Sequence, residues 1–171
     1  MSSDAVASGS EEIEAVFKNI YLIFTNGRPK TFAFSVISHL IFAEASIKNN
    51  AIEPQRKEVS VTYKITVEED MVNGGGNIHG GCSAFLIDVC SSICIIALKL
   101  SQGVSGMDVS QSMNVVYHAP AAIGEVLRIV NTTMAVGRRV ASARTEIWSE
   151  STHRLVASGV HIKMEPSTAK L

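Results

Sequence analysis

The sequence predicts an α+β domain in which a six-stranded antiparallel sheet wraps one long central helix. Three observations carry that expectation. Residues 82–100 form one long apolar run with no proline, and glycine turns flank it on both sides. Strand-like runs precede and follow it. The last three of those runs are joined by short connections, which favours an antiparallel meander over parallel crossovers. One apolar helix among six strands buries its surface best with the sheet curled around it.

Taken in order, residues 1–10 are rich in Ser, Ala and acid and read as a tail. Residues 11–24 carry Ile13, Val16, Phe17, Ile20 and Tyr21 at helical spacing, and Asn26-Gly27-Arg28-Pro29 stops that helix. Residues 31–36 fit either a short helix or a strand. Residues 40–49 alternate only in part. Residues 58–68 alternate well, with Val59, Val61, Tyr63, Ile65 and Val67 on one side. The glycine turn and the long helix follow, ending at Ser101-Gln102-Gly103. Strands are then expected over 105–118, 125–136, 139–149 and 154–164. The organisation is a tail and N-terminal helical extension over 1–38, the main domain over 39–165 and a short tail over 166–171.

Composition narrows the function. The chain has 171 residues, 46% hydrophobic and 18% charged, so one domain can build a sizeable core. Its formal net charge of −1 argues against a general nucleic-acid binder, which needs a basic face. Cys82, Cys90 and Cys94 all fall in the predicted helix, where disulfide geometry is poor, so they read as reduced thiols. The run 82–100 is long enough to cross a bilayer. Asp88, Ser91, Ser92 and Lys99 within it, and flanks without a basic cluster, favour a buried core helix and no membrane span. The acidic start lacks the apolar centre of a secretory signal. The ending Ala169-Lys170-Leu171 resembles the Ser-Lys-Leu address, with Ala for Ser. It sets the expectation of peroxisomal import through the matching receptor, with the cytoplasm as the alternative.

The most informative segment is Asn73-Gly-Gly-Gly-Asn-Ile-His79-Gly80-Gly81 with Asp88 beyond it. Gly80 and Gly81 stand where the helix begins. First-turn amides there lack intrahelical partners, and glycine lets a ligand oxygen approach, giving an oxyanion site. The plainer reading is that the glycines only make the turn. Asp88 in an apolar helix is either a satisfied structural acid or a functional one. It lies eight residues after Gly80, ~12 Å along a helix. One chain cannot easily bring both to one carbonyl, but two antiparallel copies can, which places such a site between subunits. His79 and Cys82 lack further ligands at zinc spacing. Asn73 and Asn77 suit turn positions or offer amides to a ligand. Ser110 has no triad partners at recognisable spacing. Gly137-Arg138-Arg139 puts two cations at a hairpin turn, as solvated charges or as phosphate contacts. His161 and Lys163 alternate on the last strand and can face one ligand.

Asn73, His79-Gly80-Gly81, Asp88, Ser110 and the strand Ser112 to Pro120 with Gly124-Glu125 together resemble the hotdog-fold acyl-CoA thioesterases. The resemblance is to their phenylacetate-degradation-type branch and spans about 58–164. It implies a hotdog domain assembled as a homodimer, often paired into a homotetramer. It implies thioester hydrolysis with no cofactor, coenzyme A being part of the substrate. Carried over by position, the Gly80 amide polarises the thioester carbonyl, with Asn73 and His79 shaping that site. Asp88 of a second subunit activates water or attacks directly, and Ser110 positions it. Gly81, Gly137, Arg138, Arg139, His161 and Lys163 are the implied substrate and coenzyme A contacts. The alternative is a non-catalytic acyl-CoA-binding dimer or scaffold. A hydratase of this fold carries a His five positions after its Asp, where this chain has Ile93. A peroxisomal address would tie the substrates to fatty acid metabolism.

Overall fold

The computed structural model describes residues 15–28, 30–104, 107–137 and 139–166. Arg138, the first ten residues and Ala169-Lys170-Leu171 lie outside the described residues.

The architecture is the expected one: a six-stranded, wholly antiparallel sheet with one long helix packed against it. The N-terminal extension is helical over 15–18 and, after a break at Asn19, over α1 (Ile20–Thr25). Asn26 stops α1 in the left-handed region at φ 48°, one of the few conformations Asn tolerates better than other residues with a Cβ. The ambiguous stretch after it contains a helix, α2 (Phe34–Ser38). The extension is tied to the main domain: Phe17 is buried and stacks on Phe42, and the Tyr63 hydroxyl donates to the Phe17 carbonyl at 2.9 Å.

Strand β1 (Ile41–Asn49) pairs with β2 (Lys57–Thr66), and a register shift between Phe42 and Glu44 explains its partial alternation. An extra residue there switches which parity faces inward. In β2 the alternation holds, with Val59, Val61, Tyr63 and Ile65 all buried. After a 3₁₀ turn (Glu69–Met71) and the glycine turn comes α3 (Gly80–Ser101). The remaining strands are β3 (Val109–Tyr117), β4 (Val126–Val136), β5 (Val140–Ser149) and β6 (Leu155–Met164). The meander β4-β5-β6 forms as expected. The order across the sheet is β1-β2-β4-β5-β6-β3, so β3 leaves its sequence neighbour and pairs with β6 at the far edge.

Helix α3 lies across the strands, and Leu86, Ile87, Ile93, Ile95 and Leu98 are almost wholly buried. Each such side chain contributes about 1.5–3 kcal/mol of transfer free energy. The length that could span a bilayer is therefore used against the sheet. The helix approaches the sheet closely at Gly159 on β6, where a Cβ would sit 3.0 Å from the Asn114 carbonyl oxygen and 3.0 Å from Cγ2 of Ile87. One contact is backbone, so it cannot rotate away. Gly159→Ala should therefore lower unfolding stability by about 1–3 kcal/mol, the usual cost of overpacking. A urea midpoint equal to that of the parent protein would remove this explanation of the glycine.

Candidate functional site

The glycine turn is built by Asn73. Its side-chain oxygen accepts from the Gly75 amide at 2.9 Å and the Asn77 amide at 3.4 Å, and its own amide bonds the Asn77 carbonyl. Gly76 takes φ +74°, open to glycine at no steric cost. Among the described residues nothing accepts from the Asn73 side-chain NH₂.

His79 follows in extended conformation and caps α3: its Nδ1 accepts from the Gly81 amide at 2.9 Å and its carbonyl from Ser83 at 3.1 Å. The expected pair of free glycine amides is thereby reduced. The Gly81 N–H belongs to the cap, and among the described residues the Gly80 N–H has no protein acceptor. It is one of the orphan donors at the positive end of a 22-residue helix. Over it lies Tyr117 from the end of β3, whose hydroxyl donates to the Gly80 carbonyl at 3.1 Å. A Cβ at Gly80 would meet the Tyr117 ring at 3.3 Å. A cleft of about 350 Å³ opens here, lined by Ile78, Gly80, Ser83, Tyr117, Pro120 and Val156 among others.

Two turns further along α3, Asp88 has a half-open side chain, 43% exposed. Its Oδ1 is 3.5 Å from the Ser110 hydroxyl on β3 and 3.6 Å from Nε2 of His161 on β6. His161 joins several groups in one row. Its Nε2 is 2.9 Å from Ser110 Oγ and its Nδ1 is 2.7 Å from Ser91 Oγ. Lys163 donates to Ser92 at 2.8 Å and to Ser110 at 3.4 Å. Ser91 and Ser92 in turn donate to the Asp88 carbonyl. Hydroxyls three and four residues after an acid share its helix face, a spacing from which sequence alone drew no site role for Ser91 and Ser92.

His161 and Lys163 were expected among the substrate and coenzyme A contacts. The structure buries both behind Asp88 and Ser110, with the serines of α3 and β3 as partners. Gly137 and Arg139 are exposed at the β4–β5 turn, where the Gly137 amide donates to the Val140 carbonyl. This turn sits at the sheet end that carries Ser110, since Val140 and Val109 both align with Met164. Two groups thus emerge on α3: Asn73, His79, Gly80 and Gly81 at its N-terminus, and Asp88, Ser110, His161 and Lys163 in its middle.

Burial holds the His161 imidazole below its ordinary pKa, with the Lys163 charge adding to that effect and Asp88 opposing it. Folded His161 is therefore neutral at neutral pH, whereas the unfolded chain protonates at about 6.5. The sign follows: stability is full above about pH 6.5 and falls as acid protonates the unfolded chain first, levelling off below the folded value. Urea titrations between neutrality and mild acid should show that slope, and His161→Gln should flatten it. An unchanged slope in the variant would clear His161 of the effect. Burial likewise lowers the Lys163 pKa, while Asp88 and Asp108 pull it back up.

Comparison with known proteins agrees with this geometry. The sequence model of the thioesterase superfamily matches residues 75–156. Acyl-coenzyme A thioesterase 13 of Mus musculus is 34% identical over 100 residues, covering 58% of this chain and 69% of the relative. The Homo sapiens protein of that name is 32% identical over 103 residues, covering 60% and 71%. Among solved structures, zebra fish thioesterase superfamily member 2 superposes with a TM-score of 0.69 at 26% identity, covering 86% of this chain and 94% of that one. The chain belongs to the thioesterase superfamily, among the hotdog-fold acyl-CoA thioesterases. It is a thioester hydrolase.

Proposed function

We propose that the chain hydrolyses acyl-CoA thioesters at a site shared by two copies, with Asp88 of one and the Gly80 amide of the other acting on the same carbonyl. The supporting observation is the pairing of a half-open carboxylate in an apolar helix with an N–H, unpaired among the described residues, about 12 Å away on that helix. A two-fold pair of antiparallel α3 helices closes that gap twice. Strand β3 is an unpaired sheet edge with Val109, Val116 and Tyr117 exposed, the kind of edge a second copy covers.

In this mechanism Asp88 takes a proton from a water held by Ser110, and the water oxygen attacks the thioester carbon. The carbonyl electron pair moves onto oxygen, where the partner's Gly80 N–H and helix end stabilise it, assisted by the free NH₂ of Asn73. The pair then returns, the C–S bond breaks, and the thiolate leaves with the proton from Asp88. The products are the free acid and coenzyme A. The two ring nitrogens of His161 link the Ser91 and Ser110 hydroxyls, and Ser110 reaches on to Asp88. His161 and Lys163 thus act as positioning residues. Arg139, exposed near Ser110, is the proposed contact for the coenzyme A phosphates.

The sharing of the site is tested by mixing two inactive variants. Gly80→Pro removes the N–H, and its ring requires the Tyr117 side chain, 3.3 Å from the new Cβ, to give way. Proline is tolerated at a first helical position, and His79 already has the extended backbone that proline requires before it. Refolded together with Asp88→Asn in equal amounts, random pairing should restore about a quarter of the parent activity, because half the dimers carry one intact site of two. A mixture as inactive as its components would place both groups in one chain and overturn the shared site.

A further inference from the structure

Phe32 has a ring 83% exposed, more than any other large apolar side chain of the described extension. It nevertheless has a packing partner. Its ring meets that of Phe85 edge to face, with centroids 5.4 Å apart and planes at 77°. The segment that carries it runs between α1 and α2, joined to the core through Ile23 and Phe24 of the first and Val36 and Ile37 of the second. Its neighbour Ala33 sits at φ 49°, a left-handed conformation costly for a residue with a Cβ. Phe85 in turn belongs to α3, three residues before Asp88, so the two share a helix face with neighbouring side chains. It is only partly buried, like Asp88. An exposed aromatic ring thus extends a half-open one that stands beside the candidate catalytic carboxylate.

We propose that Phe32 and Phe85 form the ledge along which the acyl chain of the substrate lies, making the N-terminal extension a selector of acyl chain length. This rests on Asp88 being the site of hydrolysis. The first carbons beyond the thioester lie against Phe85, and Phe32 meets the more distal ones, so its contribution grows only once the chain is long enough to reach it. Covering an exposed ring with methylene groups removes apolar surface from water on both sides.

The test compares the full-length protein with Phe32→Ala, Phe32→Leu and Asp88→Asn on short-, medium- and long-chain saturated acyl-CoAs, with the sedimentation of each variant recorded. Phe32→Ala should lower kcat/KM for the long-chain substrates roughly tenfold more than for the short-chain ones, through KM, the discrimination expected from losing a few methylene contacts. Phe32→Leu, which keeps an apolar surface, should restore most of it. A chain-length profile that superimposes on the parent's overturns the ledge. A uniform loss across all chain lengths accompanied by dissociation also overturns it, since the ring would then be sealing one copy against another. Full turnover by Asp88→Asn is a separate failure, that of the site reading beneath the proposal.

Discussion

Asp88→Asn is expected to lose at least roughly 100-fold in kcat while remaining folded and paired. The substitution keeps the size and shape of the side chain and the acceptor facing Ser110, and it removes only the ability to take a proton. General-base contributions of this kind span about 10²–10⁴ in rate, or about 3–5 kcal/mol of barrier. KM should change little, because the carboxylate meets the attacking water rather than the bulk of the substrate. Because the side chain is 43% exposed, loss of its charge should cost little stability, and the melting temperature should stay near the parent's. Free-thiol release on an acyl-CoA panel gives the rate, and sedimentation gives the assembly. A folded dimer that keeps more than about a tenth of the parent kcat would make Asp88 a structural acid and leave the general-base assignment without support.

The largest expected loss of stability lies one helix segment away. Lys99 near the end of α3 and Asp108 just before β3 form an ion pair at 2.6 Å, with side chains 9% and 5% exposed. The second oxygen of Asp108 is buried without a hydrogen-bond partner among the described residues. Such a pair adds little beyond its own desolvation cost, but breaking it leaves a bare charge in an apolar setting. Asp108→Asn should therefore lower unfolding stability by about 3–5 kcal/mol. The double variant Lys99→Met with Asp108→Leu should recover most of that, since two apolar groups of similar volume need no compensation. Urea unfolding of the three proteins measures both effects. A single variant as stable as the parent would show that solvent reaches Lys99. The pair also bears on the site: Asp108 is one of the two acids supporting the charge on Lys163, which in turn holds Ser92 and Ser110.

The parts legible in the sequence are those a local pattern encodes. Period-two alternation located the inward face of β2, and the single apolar run located α3. Alternation failed in β1 because one register shift reverses parity within the strand. The position of β3 beyond β6 was not legible, because it depends on pairing between segments far apart in sequence. The same limit applies to the site. The spacing of Gly80 and Asp88 along a helix follows from residue count, and so does the argument for two copies. Which glycine amide is free depends on which atom His79 presents to the first turn, a matter of side-chain geometry. Alternation suggested that His161 and Lys163 face one ligand. Alternation placed them correctly on one face of β6 but could not say that this face meets Ser91 and Ser92.

The edge position of β3 bears on when the protein becomes competent. Ser110 is made early, yet its strand pairs only with β6, the last strand synthesised, and His161 and Lys163 beside it lie on β6 as well. A chain growing from its N-terminus can form α3 and much of the sheet before Ser110 has any strand to rest against. Loop closure over that separation makes this pairing a late event in folding. The nascent protein therefore carries Asp88 without its neighbours, and the candidate site is assembled only as the final strand closes the sheet.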